Sequence, residues 1–188
     1  MTSPSEFDGI DDYIQVPWNE SLDLGAGDFT WSARIRYSDT TGTHSILWAY
    51  QVGSGAPQIW LRAEPANNRL IAIMGTGNGT PTVTTAQAYN DGQWHDVVLR
   101  RTAGQVTLSV DGQATSVADP GGSVTEGKQF AIDGIDVGQR LDGAQRFHGS
   151  ISDVRIYDRA VPDDRLATAR SGLRLWLPLD RIDTKDQG

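Results

Sequence analysis

The stretch GDFTWSARIRYSD, residues 27–39, alternates apolar and polar side chains along almost its whole length. On one side stand Phe29, Trp31, Ala33, Ile35 and Tyr37, and on the other Thr30, Ser32, Arg34 and Arg36. This period of two is typical of a strand that buries one face and leaves the other face polar. The stretch therefore predicts a long strand in a layered β protein.

Similar extended, β-prone segments recur along the chain, at residues 44–52, 57–64, 68–75, 80–88, 93–101, 105–112, 128–138 and 150–158. Turn residues separate them, and the clearest turn is Asp111-Gly112, which offers the two positive-φ positions of a tight hairpin. Many short strands without a long helical pattern indicate two packed antiparallel sheets. We predict an all-β, two-sheet antiparallel jelly-roll β-sandwich.

Two short segments are predicted to be helical, Asn19 to Leu22 and Pro162 to Ala169. In the second, a proline suits the first turn, and two aspartates suit the positive end of the helix dipole. We expect this helix to cap an open end of the sandwich. A last strand is predicted at 173–180, next to the first strand in one sheet, with Trp176 in the core.

The composition excludes several kinds of chemistry and partner. The chain has no cysteine, which rules out disulfides, a thiol nucleophile and Cys-ligated zinc. The net charge is −8 at pH 7, and a negative surface without a basic stripe disfavours nucleic acid and anionic membranes. No apolar stretch approaches the length of a membrane span, so we expect no membrane insertion. Twenty aspartates stand against four glutamates, a bias typical of turns and of calcium ligands.

Four pieces of the sequence, in this order, resemble the bacterial laminin G-like modules of the concanavalin A-like lectin/glucanase superfamily. They are FDGIDDYIQVP (7–17), SLDLGAGDFTWSARIRY (21–37), DGQWHDVVLRRTAGQVTLSVDGQ (91–113) and FHGSISDVRIYDRAVPDDRL (147–166). The resemblance implies a single laminin G-like domain, to which we assign residues 1–180. The last residues, 181–188, are expected to form a frayed tail. It does not fix the function, because such modules include glycan-binding, adhesion and protein-binding domains and domains without a known ligand.

Catalysis of the glycosidase type is not expected. Glycosidases on the fold that the resemblance implies use paired glutamates on one strand, one as nucleophile and one as general acid. The glutamates of this chain are Glu6, Glu20, Glu64 and Glu126, and each stands apart from the others. The three histidines lie in different segments without a recognisable nucleophile motif, and His95 is expected to be structural. We therefore predict that the protein is not an enzyme.

An aspartate-rich turn, FDGIDDY, is the candidate metal site. Asp8, Asp11 and Asp12 lie within five residues around a glycine, as in loops that bind hard cations. The resemblance implies Ca²⁺ near the rim of a sheet, and Asp153 is included as a more distant ligand. Relatives usually carry two acids after the isoleucine of the closing strand, whereas this chain has Ser152 before Asp153, so position 152 supplies no carboxylate. The alternative is that these aspartates only shape a tight turn.

Aromatic side chains are the candidates for sugar binding, because the C–H face of a pyranose packs against an exposed ring. Trp48, Tyr50 and Trp60 lie on adjacent predicted strands, and Arg62 shares the face of Trp60. The alternative places these rings in the core.

A polar loop, 139–146, precedes the closing strand and supplies Arg140 and Asp142. Charged side chains of these two types form strong hydrogen bonds to sugar hydroxyls. The alternative is a solvated loop that holds an ordinary Asp–Arg pair.

These observations predict a non-catalytic, lectin-like carbohydrate-binding module of a larger secreted or cell-surface protein. Its expected partners are a neutral glycan or another cell-surface ligand, together with neighbouring domains of the same parent chain. Sialylated or sulfated glycans would meet repulsion unless calcium or the arginines intervened. The alternatives are an adhesion or protein-interaction module and a scaffold domain beside a catalytic domain. The first residues, MTSPSEFDG, show no signal-peptide pattern.

Overall fold

The computed structural model describes residues 3–49, 57–125 and 134–181, and these residues form two antiparallel sheets. The eight-stranded sheet contains β1 (Ser3–Asp8), β3 (Phe29–Arg36), β8 (His95–Thr102), β9 (Gln105–Val110), β10 (Gln113–Ala118), β12 (His148–Tyr157), β13 (Leu173–Leu177) and β14 (Asp180–Arg181). The six-stranded sheet contains β2 (Ile14–Pro17), β4 (His44–Ala49), β5 (Gln58–Glu64), β6 (Arg69–Gly75), β7 (Thr82–Thr84) and β11 (Gly134–Val137). Within the described ranges, three 3-10 helices connect strands, at Glu20–Leu22, Pro65–Asn67 and Asp163–Arg165.

The strand order shows the crossed connections of a jelly roll. The larger sheet runs β10-β9-β8-β3-β12-β1-β14, with β13 also paired to β12, and the smaller runs β2-β11-β4-β5-β6-β7. The predicted all-β sandwich of two antiparallel sheets is therefore confirmed. The predicted last strand, 173–180, is divided in the structure: β13 pairs with β12, and β14 is the part that pairs with β1.

The core lies between the sheets, and strand β3 contributes to it as its alternation predicts. Its apolar members and the following tyrosine are all at most 3% exposed: Phe29, Trp31, Ala33, Ile35 and Tyr37. From the facing sheet Leu47, Ile59 and Leu61 pack into the same cluster. Full burial of a large apolar side chain contributes about 1.5–3 kcal/mol, so this layer carries much of the stability.

The hairpin predicted at Asp111-Gly112 joins β9 to β10. Both residues have positive φ, 49° and 82°, the combination that a type I′ turn requires and that matches the twist of the flanking strands.

The segment after β12 is shorter in its helical part than predicted. It contains a 3-10 helix at Asp163–Arg165, because residues 162–169 have a single large apolar residue, Leu166, and so lack the apolar stripe that holds a longer helix to a core. It also does not cap an open end. Arg100 Nε donates to the carbonyl of Val161 at 2.8 Å, and Ser109 Oγ donates to Asp163 at 3.0 Å. The segment therefore covers the outer face of the eight-stranded sheet.

Trp176 is not in the core, contrary to prediction, and is 45% exposed. In β13 the leucines alternate with it, and Leu175 and Leu177 are the side chains that pack against the core. The alternation is not evident in the sequence, because tryptophan is itself apolar and the whole stretch therefore has the pattern of a buried strand. No helix in the described residues is long or apolar enough to cross a membrane.

Candidate functional site

A pair of stacked tryptophans marks the outer face of the six-stranded sheet. The register of β4 and β5 places Trp48 directly opposite Trp60, and their ring centroids lie 5.0 Å apart with an angle of 10° between the planes. Their neighbours in sequence point into the core, so the period of two turns both indoles outward. Ile71, together with Ile73 and Leu141, packs around them as a second apolar cluster.

A guanidinium group lies over each of these rings. The Cζ of Arg62 is 4.4 Å from the centroid of Trp60, and the Cζ of Arg140 is 5.9 Å from the centroid of Trp48. We call Arg62, Trp60, Trp48 and Arg140 the arginine–tryptophan ladder. The two indoles are only 4% and 6% exposed. The ladder therefore presents the edges of its charged groups to solvent and not an open aromatic face.

The loop 139–146 brings Arg140 and Asp142 together as a two-point ion pair. Arg140 Nε donates to Asp142 Oδ1 at 2.8 Å, and a second nitrogen, Nη2, donates to Oδ2. The hydrogen bond from Arg140 is the main cause that lowers the pKa of Asp142, and the same bond raises the pKa of Arg140. Each side chain is about one-third exposed, 33% and 34%. The pair can therefore offer both a donor edge and an acceptor edge to a ligand.

Glu64 fixes the other end of the ladder. It is 5% exposed and accepts from Arg62 Nε at 2.9 Å, Arg69 Nε at 2.8 Å and Asn67 Nδ2 at 3.0 Å. Burial would raise the pKa of Glu64, but these hydrogen bonds together outweigh burial and lower the pKa to about 2. Glu64 is thus ionised at neutral pH and positions Arg62 over Trp60.

Asp136 is a buried carboxylate that is not among the predicted site residues. It lies on β11 opposite Trp48, is fully buried, and accepts from Gln139 Nε2 at 2.6 Å. Burial raises the pKa of Asp136, and the hydrogen bond from Gln139 partly offsets the rise. Because Asp136 alternates with the apolar residues Ile135 and Val137, the sequence indicates that its side chain points away from the core. The sequence does not indicate that loop 139–146 covers this side chain. Asp136 anchors the start of that loop beside the ladder.

The structure brings together all the predicted ligand-binding residues that it describes: Trp48, Trp60, Arg62, Arg140 and Asp142. Tyr50 lies outside the described residues. The sequence predicts that the rings either bind sugar on a surface or lie in the core. The structure combines features of both, because the indoles are buried but lie on the outer face of a sheet. Binding of a ligand by these residues stays a prediction.

The three aspartates of the first turn cluster at the protein surface. Carboxylate oxygens of Asp8, Asp11 and Asp12 all lie within 4.8 Å of one another. Asp8 Oδ1 accepts from the backbone N–H of Ile10 at 2.8 Å and of Asp11 at 3.2 Å, and these bonds lower the pKa of Asp8. The carboxylates therefore shape the turn and also present hard oxygen atoms, the donors that Ca²⁺ prefers.

Asp153 does not join this cluster. The register of β1 and β12 places Asp8 opposite His148, five residues before Asp153. The Asp153 carboxylate instead accepts from Arg155 Nε and from Trp176 Nε1, each at 2.8 Å. The predicted set of four metal ligands is thus divided between two places in the fold.

Comparisons with known proteins agree with this architecture. The Laminin_G_3 family model, described as concanavalin A-like lectin/glucanases superfamily, matches residues 8–167. Usherin of Rattus norvegicus is 33% identical over 176 residues, which cover 82% of this chain and 3% of usherin. The chain therefore spans a small fraction of the curated relative that it matches.

Two solved structures share the fold at low sequence identity. A putative carbohydrate binding protein from Bacteroides ovatus superposes with a TM-score of 0.72 at 21% identity, over 100% of this chain and 54% of the other. The Ruminococcus gnavus IT-sialidase CBM40 bound to alpha2,3 sialyllactose gives a TM-score of 0.59 at 15% identity, over 82% and 94%.

Proposed function

Since the chain belongs to the laminin G-like family of the concanavalin A-like lectin/glucanases superfamily, we propose that it is a non-catalytic module that binds neutral carbohydrate. We place the ligand on the outer face of the six-stranded sheet, beside loop 139–146. The parent protein would be secreted or displayed at a cell surface, with this module joined to neighbouring domains.

The arginine–tryptophan ladder is the observation that supports this proposal. Stacking on the indoles and ion pairs to Glu64 and Asp142 hold both guanidinium planes in place. Fixed groups lose little conformational entropy when they bind a ligand. The Arg140–Asp142 pair can donate to one sugar hydroxyl and accept from the next, through charge-assisted hydrogen bonds.

The charge of the site favours a neutral sugar over an anionic one. Arg62 and Arg140 are each paired with a carboxylate of this chain, and the chain carries a net charge of −8. A carboxylate or sulfate on the ligand would therefore compete with Glu64 or Asp142 in a negative field. For this reason the sialyllactose bound by the Ruminococcus gnavus module is not carried over to this chain.

The state of Glu64 supports a role without catalysis. A general acid must hold its proton near the working pH, whereas the pKa of Glu64 is about 2. Glu6, another of the described glutamates, is occupied by Arg36 at 3.0 Å and Ser150 at 2.7 Å. Turnover of a glycan that disappears in Glu64→Gln would contradict this part of the proposal.

A glycan array, read with and without chelator, tests the proposal. We expect wild-type protein to bind neutral glycans, and Arg140→Met to weaken binding at least tenfold, about 1.4 kcal/mol. Arg36→Met is the matched control, because Arg36 is also an ion-paired surface arginine, 40% exposed, but lies on the other sheet. Absence of binding to any sugar would overturn the proposal.

A protein-interaction or adhesion module is the second candidate. Ile10 is 76% exposed and Tyr13 is 48% exposed, and both lie at the aspartate turn on the rim of the sandwich. Exposed apolar residues at a rim are a feature of protein-binding surfaces. Tight binding to a protein, lost in the double variant Ile10→Ser, Tyr13→Ser and accompanied by no sugar binding, would favour this candidate. A scaffold domain beside a catalytic domain would bind neither.

We further propose that the aspartate turn binds Ca²⁺, through Asp8, Asp11 and Asp12 with backbone carbonyls completing the oxygen ligands. Calcium at ten times its dissociation constant would stabilise the domain by about 1.4 kcal/mol. Thermal melts should show this gain in the wild type and in Asp164→Asn, an exposed control, but not in Asp11→Asn. Identical melting curves in saturating calcium and in chelator would contradict the proposal.

A further inference from the structure

The exposed indole of Trp176 lies on the outer face of the eight-stranded sheet and is held in place. Its Nε1–H donates to Asp153 Oδ1 at 2.8 Å, and the Cζ atoms of Arg155 and Arg170 lie 5.0 and 5.8 Å from its centroid. Nearly half of the side chain, 45%, still faces solvent. A rigid, exposed indole loses little entropy on binding and is the kind of surface on which the C–H face of a sugar packs.

A bulge in β12 directs Asp153 towards this indole. The pairing of β12 with β3 shifts register between Ser152 and Arg155, and Asp153 has a φ of 49°. Bulges re-aim side chains, and here the turned carboxylate also accepts from Arg155 Nε at 2.8 Å. Arg155 is only 6% exposed, so a buried guanidinium group holds the Asp153 carboxylate in position.

A groove of about 360 Å³ begins at Asp153 and crosses the sheet. It passes over Ser32 of β3 and Val98 of β8, reaches the hairpin at Asp111, and is walled on one side by Leu166 and Ala167. This volume lies within the range of ligand pockets, about 300–1,000 Å³. Asp153 thus both lines the groove and accepts from the indole N–H of Trp176, which places the ring beside one end of the groove.

The charges along the groove are already compensated within the protein. Asp96 pairs with Arg34 at 3.0 Å, and Asp163 pairs with Arg100. Asp111 pairs with His95 at 2.6 Å. The arginine that lines the groove, Arg34, is therefore already paired, and the aspartates there gain less from a cationic peptide than free carboxylates would. Arg170, beside Trp176, donates to the backbone carbonyls of Ala167 and Ala169. Fixed donors and acceptors beside an exposed indole suit a ligand with many hydroxyl groups.

We infer that this surface is a second binding site for a neutral sugar chain, with Trp176 as the stacking platform and the groove as the subsite for the adjoining sugars. The class of ligand in this inference rests on the proposed function. The location of the site rests on Trp176 and the groove and does not depend on the ladder. Two sites on opposite faces would let one module contact two glycan strands, with the gain in avidity that bivalent binding gives.

Titration calorimetry with neutral tetrasaccharides (cellotetraose, laminaritetraose, xylotetraose and mannotetraose) tests the number of sites. For the sugar that binds, we expect two chains per wild-type domain and one chain in either Trp176→Ala or Arg140→Met. Trp176→Phe should recover part of the lost binding, because it restores a ring. Trp176 is exposed on a strand that pairs with β12 alone among the described strands, so these variants should fold, as a thermal melt can verify.

The indole N–H signal of Trp176 provides a second readout by nuclear magnetic resonance. Sugar should shift this signal in the wild type and in Tyr13→Ala, a control that removes another exposed ring. One bound chain, lost in Arg140→Met and unchanged in Trp176→Ala, would overturn this inference and leave the proposed function standing. Binding of no sugar would overturn both. A shift caused by hexalysine and not by sugars would assign the groove to a basic partner, and the inference would be wrong.

Discussion

The two outer faces of the sandwich use tryptophan and arginine in opposite ways. On the six-stranded sheet, Trp48 and Trp60 stack on each other under two guanidinium groups and are 4% and 6% exposed. On the eight-stranded sheet, Trp176 also lies near arginines but is 45% exposed. Strand position accounts for the difference. β4 and β5 each have a paired strand on both sides, whereas β13 pairs with β12 alone among the described strands.

This comparison teaches that an aromatic residue on an outer face serves stability or recognition according to its neighbours. Where two strands place indoles opposite each other, the rings stack, bury each other's faces and contribute to stability. Where the neighbour across the strand is arginine, as Arg155 is for Trp176, the ring is steadied without being covered. In the two proposals above, the ladder would bind a sugar through its polar edges, and Trp176 would bind one through its ring face.

Removal of one indole from each face should give very different losses of stability. Trp60→Ala leaves a cavity beside Trp48 and removes the ring under Arg62, so we expect a loss of about 3–5 kcal/mol in the free energy of unfolding. Trp176→Ala removes an exposed ring, and we expect a loss of about 0.5 kcal/mol or less. Urea denaturation of both variants measures the difference. We call the outer face of the six-stranded sheet, with Trp48 and Trp60, the closed face, and the outer face of the eight-stranded sheet, with Trp176, the open face. Similar losses in the two variants would contradict this division.

The closed face should also be the acid-sensitive one. The pKa of Glu64 is lowered from 4.5 to about 2, so its contribution to stability is fully present above about pH 4.5 and is lost as the pH falls towards 2. At about 1.4 kcal/mol per pKa unit, this amounts to about 3 kcal/mol. We expect Glu64→Gln to lose about this much at pH 7, and the difference from wild type to vanish near pH 2.

Glu20→Gln is the control for that measurement, because Glu20 is an exposed glutamate in the first 3-10 helix. Denaturant unfolding at a series of pH values gives both curves. A constant difference between wild type and Glu64→Gln from pH 7 down to pH 2 would show that the effect comes from lost packing and not from the ionised carboxylate.

The architecture could be predicted from sequence because it rests on local patterns. The alternation of Phe29 to Tyr37 fixes which face of β3 is buried, and Asp111-Gly112 fixes a hairpin. Three of the four members of the ladder could be named for the same reason, because the period of two places Trp48 on the outer side of β4 and places Trp60 and Arg62 on successive outer positions of β5.

What sequence could not supply depends on long-range contacts. The stacking of Trp48 on Trp60 follows from the register between β4 and β5, and the clustering around Glu64 follows from where Arg69 lands on the next strand. The exposure of Trp176 and the distance of Asp153 from Asp8 depend on pairings of β12 with β13 and β1. No single stretch of residues encodes these.

The hairpin end of the groove should respond to pH in the opposite direction, through the contact of His95 with Asp111. Its Nδ1 lies 2.6 Å from Asp111 and its Nε2 lies 2.9 Å from Asp91. Burial lowers the pKa of His95, but the hydrogen bonds to Asp111 and Asp91 outweigh burial and raise the pKa above its ordinary value. The contribution is therefore fully present below about pH 6.5 and is lost as the pH rises through the raised pKa.

We expect wild-type protein to lose stability as the pH rises through this range, because the charged contacts of His95 with Asp111 and Asp91 are then lost. His95→Gln should remove this dependence, whereas His148→Gln, which alters a more exposed histidine, should keep it. Because Asp111 lines the groove, the same rise in pH should also loosen the hairpin end of that surface and leave the ladder unaffected. Denaturant unfolding from pH 5.5 to 9 measures the first effect, and the indole signals of Trp176 and Trp48 measure the second. A pH-independent wild type, or a His95→Gln variant with the same pH dependence as wild type, would show that the charge of His95 does not link Asp91 to Asp111.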